Sequence, residues 1–180
     1  MMNGKNFLNQ VYPEPKIICM IRDLRDIFAS MENNYRKSSD KTSPILDWAT
    51  LQGTTVPKRV DIWAQNPPVG MAIERLGEVI RMGINSKILF VKFEDLCLYP
   101  DREMTKVYNY LDIPYYNHDF DNIEQVTKED DTVYGAFGDH VIRTKLEPMP
   151  SKAKTLLGRD VTDWVYNNYK WFYEQFNYKK

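Results

Sequence analysis

The stretch KIICMIRDLRDIFAS, residues 16–30, decides how this chain is read. Its first part, residues 16–22, holds a short continuous apolar run in which four of five residues are Ile or Met. Such runs occur in strands covered on both faces of a parallel sheet. The period then changes. Leu24, Ile27, Phe28, Met31 and Tyr35 recur at the spacing of one helical face. Asp23 and Asp26 stand near the start of that helix, where carboxylates suit the helix dipole. Residues 16–36 therefore predict a strand, a sharp turn and a helix.

Working outward, KILFVKF, residues 87–93, predicts a second strand of the same buried type. Between the two strands, residues 37–68 are weakly periodic, with Ser38, Ser39, Thr42, Ser43 and Pro44 marking a loop and a short helix expected over 58–65. After Asn66-Pro67-Pro68 a helical stripe runs through Val69, Ala72, Ile73, Leu76, Val79 and Ile80, with Gly83 as its C-terminal cap. Beyond the second strand, Pro100-Asp101 opens a stripe of Met104, Val107, Tyr108 and Leu111. Residues 117–139 carry seven acids against one lysine and predict an exposed segment; 140–160 swing basic. Val161, Trp164, Val165, Tyr169, Phe172 and Phe176 predict one terminal helix, its aromatic stripe read as core. Strand, helix, strand, helix in this order argues for an α/β chain with two adjacent parallel strands.

Composition bounds the function. A chain of 180 residues with net charge −1 suits a single domain spanning residues 1–180, and its charge balance argues against nucleic acid as partner. No apolar run is long enough to span a bilayer and no signal peptide is visible, which makes the cytoplasm the default compartment. Cys19 and Cys97, both assigned to buried strands, make no disulfide framework or metal site alone. No GxxxxGK[ST] or GxGxxG phosphate loop occurs.

The chemistry concentrates after the first strand. Arg22 ends that strand, where open α/β sheets bind ligands. Ser30 lies eight residues on, roughly 10–12 Å along a helix axis, so both can touch one anion. An arginine fork and a hydroxyl suit phosphate oxygens. The competing reading makes Arg22, Asp23, Arg25 and Asp26 a solvated cluster of ion pairs, the commoner fate of such charges. Glu94-Asp95 at the second strand's end is read as helix-start electrostatics ahead of an acid/base pair, and His118 and His140 as surface or hydrogen-bonded residues ahead of metal ligands; His140 is the outsider as a proton shuttle.

Arg22-Asp-x-Arg-Asp-x-x-x-Ser30 after a hydrophobic strand resembles the 3′-phosphate-binding motif of sulfotransferases that use 3′-phosphoadenosine 5′-phosphosulfate (PAPS). Ile88 to Leu96 followed by Tyr99-Pro100 is similar to that family's strand ending in "YEDL" and its proline-led helix, and Leu111-Asp-Ile-Pro114 resembles its "FLGIP". The resemblance covers residues 16–115. It implies a P-loop-like three-layer α/β fold, PAPS or adenosine 3′,5′-bisphosphate as nucleotide, sulfuryl transfer to a hydroxyl or amine acceptor, and a 3′-phosphate held by Arg22 and Ser30. Asp139 to Arg143 looks like the end of the tyrosylprotein sulfotransferase branch; there Arg143 would contact nucleotide phosphates, with Lys145 in reserve. Phe93 stands where that branch often has a tyrosine.

One departure stands out. The glycine-rich loop that grips the 5′-phosphosulfate in the family has no counterpart here. The fold is therefore expected to be incomplete, with few strands, and the chain alone to show little or no transferase activity. A bare sheet edge or face would favour homodimers or poor solubility. The second reading is a non-catalytic 3′-phosphonucleotide-binding or interaction module. The third is a P-loop kinase relative. Acceptor and general base are left unassigned.

Overall fold

The structure is a computed structural model that describes residues 14–37, 51–124, 126 and 143–180. The predicted loop over 38–50, most of the acidic stretch and His140 lie outside the described residues. Two strands, β1 (Ile17–Ile21) and β2 (Ile88–Lys92), pair in parallel, Ile17 with Ile88 through Ile21 with Lys92. Between them come α1 (Leu24–Lys37), α2 (Val56–Gln65), α3 (Val69–Arg81) and a 3₁₀ turn (Ile84–Lys87). After β2 follow α4 (Phe93–Leu98), α5 (Pro100–Leu111), α6 (Ala153–Leu157), α7 (Arg159–Asn168) and α8 (Lys170–Gln175). The expected pair of adjacent parallel strands flanked by helices is what forms, and helix predominates among the described residues.

Local chemistry explains most boundaries. Pro57 and Pro100 sit in the first turns of α2 and α5, where a missing N–H costs nothing. Gly83 follows α3 at φ +65°, a conformation that glycine adopts without penalty. Asp112 ends α5 in the left-handed region, and its carboxylate accepts a hydrogen bond from Lys16 at 2.6 Å. The α2–α3 junction is tight: a Cβ on Gly70 would stand 2.6 Å from the Ala64 carbonyl oxygen. Gly70→Ala is expected to cost about 1–3 kcal/mol, the usual penalty for overpacking, read from the urea midpoint; an unchanged midpoint would show that the junction opens freely.

The core joins distant segments. Ile21, Leu24, Phe28, Val60, Trp63, Ile73, Leu157, Val165, Phe172 and Tyr173 belong to one buried cluster. Helix α1 lies at its centre, packed against α2, α6 and α7. The sheet contributes one face, since Cys19 and Phe90 pack on the cluster and Phe90 meets Phe176 at 5.1 Å between ring centroids.

Three expectations need correction. β1 is not covered on both faces: its burial alternates, leaving Ile18 and Met20 37% and 53% exposed. A parallel pair with its core on one side reads as continuous apolar sequence yet shields only alternate residues. Cys97 lies in helix α4, not in a strand; β2 ends at Lys92, and Glu94 and Asp95 in the following turn favour a helix start. The terminal helix is two helices, broken at Tyr169, whose φ of −112° is not helical. Val165 and Phe172, seven residues apart on either side of the break, both lie in the core.

Candidate functional site

The sheet register builds the site. Pairing Ile21 with Lys92 sets the next residues, Arg22 and Phe93, opposite one another at the carboxyl end of the sheet. The Arg22 guanidinium lies over the Phe93 ring, 4.6 Å from its centroid. Its neighbours in sequence are engaged elsewhere. Asp23 accepts from Arg25 in bidentate fashion, Nε to Oδ1 at 3.0 Å and an Nη to Oδ2 at 2.6 Å. Asp26 Oδ1 accepts from the Ser151 hydroxyl at 2.6 Å. The four charges thus do not form one solvated cluster. Asp23 and Arg25 pair with each other, while no carboxylate among the described residues closes on Arg22.

Arg22 is half-buried, and its charge is felt around it. Burial pushes the Asp26 carboxyl above its ordinary value, and Arg22 works against that rise. Burial also pushes the Cys97 thiol up, aided by Glu94 and opposed by Arg22 and Arg143. Ser30 is exposed on α1, eight residues beyond Arg22 and free to meet solvent. Arg143 is exposed as well. Lys145 is occupied by Asp121 at 2.6 Å. Of the four sequence-predicted residues, Arg22 stands at the carboxyl end of the sheet, Ser30 is exposed along α1, Arg143 is exposed after the acidic stretch, and Lys145 meets Asp121.

Glu94 resolves as a structural brace. Its Oε1 accepts the Asp23 backbone N–H at 2.9 Å, and its Oε2 accepts the Tyr178 hydroxyl at 2.7 Å. Asp23 Oδ1 also accepts from the buried Tyr173 hydroxyl at 3.1 Å, and an Arg25 Nη donates to the Lys179 carbonyl at 2.8 Å. Burial and the adjoining carboxylates hold both tyrosines strongly in the protonated, donating form. Tyr173 and Tyr178 are not among the residues that the sequence analysis singles out. Their hydroxyls carried the only clue.

Beside Cys97 opens a groove of about 540 Å³ with Leu98, Phe120 and Leu146 on its walls. His118 lines it too, within an aromatic group: its Nε2 meets the Tyr108 hydroxyl at 3.0 Å, and Tyr116 and Phe120 approach within 5.0 and 5.4 Å. The groove's carboxylates, Asp101, Asp119 and Asp121, already hold Tyr115, backbone amides and Lys145. Among the described residues, no group of three or more His, Cys, Asp and Glu gathers as a metal site requires.

A second feature escaped the sequence reading. Glu32 and Arg59 form a buried bidentate ion pair, both bonds 2.8 Å, with Arg36 donating a third at 2.7 Å. A signal was present. Glu32 continues the Leu24–Phe28 spacing, and Arg59 precedes Trp63 by four, so each charge occupies a core-facing position.

No helix among the described residues is long and apolar enough to cross a membrane. No curated protein and no solved structure gives a significant match to the chain. The family model described as "Sulfotransferase domain" matches residues 5–133, which include Arg22, Ser30, Phe93 and Glu94 but not Arg143 or Lys145. That match spans well over half of the 180 residues and takes in both strands and the turn that presents Arg22, so the chain belongs to the sulfotransferase domain family.

Proposed function

We propose that this chain binds the 3′-phosphate of PAPS or adenosine 3′,5′-bisphosphate through Arg22, with Ser30 adding a hydroxyl and Arg143 a second positive charge, in a transferase acting on a hydroxyl or amine acceptor. One observation carries the reading: Arg22 stands at the carboxyl end of a parallel strand, its guanidinium over the Phe93 ring, with the Asp23 and Asp26 carboxylates paired to Arg25 and Ser151. A guanidinium held this way keeps its donors available for a planar fork on phosphate oxygens. Such an anion would displace little, since Arg22 gives up no ion pair among the described residues to receive it.

We assign the nucleoside to the groove beside Cys97, an open surface whose lining is mostly polar. Leu98, Phe120 and Leu146 offer apolar and aromatic surface for a base, while Asp101, Asp119 and Asp121 disfavour phosphate within the groove. When bound, PAPS would supply the activated sulfuryl group. Arg22 and Ser30 contribute affinity and orientation at the far end of the nucleotide.

Calorimetric titration with adenosine 3′,5′-bisphosphate beside 5′-AMP tests the reading. Clear preference for the bisphosphate is expected. Equal or absent binding of both at millimolar concentration would overturn it. Lys145→Ala is expected to leave the bisphosphate affinity within about twofold, because its ammonium faces the Asp121 carboxylate. A tenfold loss in that titration would return Lys145 to the site.

A further inference from the structure

Arg22 and Phe93 are flanked by two residues that bind each other, Asp23 through its N–H and Glu94 through Oε1, 2.9 Å apart. Each of those two is then gripped from the chain's far end. Tyr173 donates to the Asp23 carboxylate at 3.1 Å, and Tyr178 donates to the free oxygen of Glu94 at 2.7 Å. The grip is itself fixed. The Tyr178 ring stacks on Phe172 at 5.8 Å and 10°, and Lys92 lies 4.5 Å above the ring. Tyr178 N–H donates to the Tyr173 carbonyl at 2.9 Å, closing a turn through Asn177 at φ +52°. Arg25, which clamps Asp23, also donates to the Lys179 carbonyl and sits over the Tyr173 ring at 5.0 Å.

The geometry points to Tyr178 and Tyr173 as positioning residues for the Arg22 phosphate site: acting through Glu94 and Asp23, residues of the C-terminal segment hold the strand-to-helix turn so that Arg22 lies on Phe93. Helix packing alone does not demand these hydroxyls. Phenylalanine would keep the Phe172 stack and the Tyr173 ring in the core. What phenylalanine loses is a donor aimed at the two residues that flank the Arg22–Phe93 contact. A phosphate-binding arginine displaced by a fraction of an ångström loses much of its advantage. This inference rests on the nucleotide reading above.

The test uses the full chain in calorimetric titrations with adenosine 3′,5′-bisphosphate and with 5′-AMP, melting temperatures being recorded in parallel. For Tyr178→Phe we expect bisphosphate affinity to fall on the order of tenfold while 5′-AMP affinity stays within about twofold and melting drops by roughly 5 °C. A purely structural tyrosine would weaken both ligands alike or only lower the melting temperature. Glu94 supplies an independent pair of variants. Glu94→Gln keeps an acceptor for the Asp23 N–H and a polar contact for Tyr178, and should bind at least as tightly as wild type. Glu94→Ala loses both and should resemble Tyr178→Phe. Wild-type preference for the bisphosphate that survives unchanged in Tyr178→Phe and Glu94→Ala would overturn the positioning role alone. So would Glu94→Gln as weak as Glu94→Ala. Wild type without any preference would instead overturn the nucleotide reading.

Discussion

Glu32→Ala is expected to destabilise the fold by about 3–5 kcal/mol, because it leaves the Arg59 guanidinium buried without its counter-charge. Glu32 is fully buried, and Arg59 is buried beside it with its guanidinium carbon 4.3 Å from the Tyr35 ring centroid. The pair joins α1 to α2, and Arg36 ties it to α6 through the Leu156 carbonyl. Urea denaturation measures the loss directly; in a chain of this size it corresponds to a drop in melting temperature of roughly 10 °C. Replacing both partners, Glu32→Leu with Arg59→Met, should recover much of the stability, since a buried pair exchanged for packed apolar groups is often neutral. A single variant that loses less than about 1 kcal/mol would show that water reaches the pair.

The same pair sets an acid limit. Burial pushes the Glu32 carboxyl up, but hydrogen bonds from Arg59 and Arg36 outweigh it and hold the group below its ordinary value. A carboxylate depressed in the folded state stabilises the fold above its unfolded value, about 4.3. That contribution fades as pH falls from there through the depressed folded value. Stability in wild type should therefore decline below about pH 4 more steeply than in the Glu32→Leu, Arg59→Met double variant. Parallel acid profiles would place the sensitivity elsewhere.

Arg22→Ala is expected to weaken adenosine 3′,5′-bisphosphate binding about ten- to a hundredfold, the usual consequence of removing one charged hydrogen-bond donor. Affinity for 5′-AMP should hardly change, as it lacks the group that Arg22 addresses. The fold should survive. Among the described residues Arg22 contacts the Phe93 face, a cation–π contact of about 0.5–1 kcal/mol at partly exposed sites. Unchanged bisphosphate affinity in a folded variant would remove Arg22 from the site. The nucleotide would then have to be sought at Arg143 or within the groove beside Cys97.

Much of this was legible beforehand because it is local. The change from a short apolar run to a 3.6-residue period marks β1 and α1 within twenty residues. Proline in first turns and Gly83 after α3 announce helix ends through the conformations that they alone favour. Arg22 and Ser30 declared themselves by their spacing after that strand, and the family match spans both. Glu32 and Arg59 were hidden in plain view: each interrupts an apolar stripe, yet nothing local says that two interruptions 27 residues apart face each other.

What the sequence determined by itself is thus the two strands and the longer helices, the residue types at the strand-to-helix turn and the family. Tertiary structure alone decided which groups meet. The register of β1 against β2 placed Arg22 on Phe93, and a shift by one residue would have turned Arg22 to the other face. Packing of the C-terminal helices brought Tyr173 and Tyr178, 150 residues from Asp23 and 84 from Glu94, onto the turn. Periodicity records how a residue faces its own element. Which distant element that face meets depends on packing and chain closure across the whole fold, which no short stretch of sequence carries.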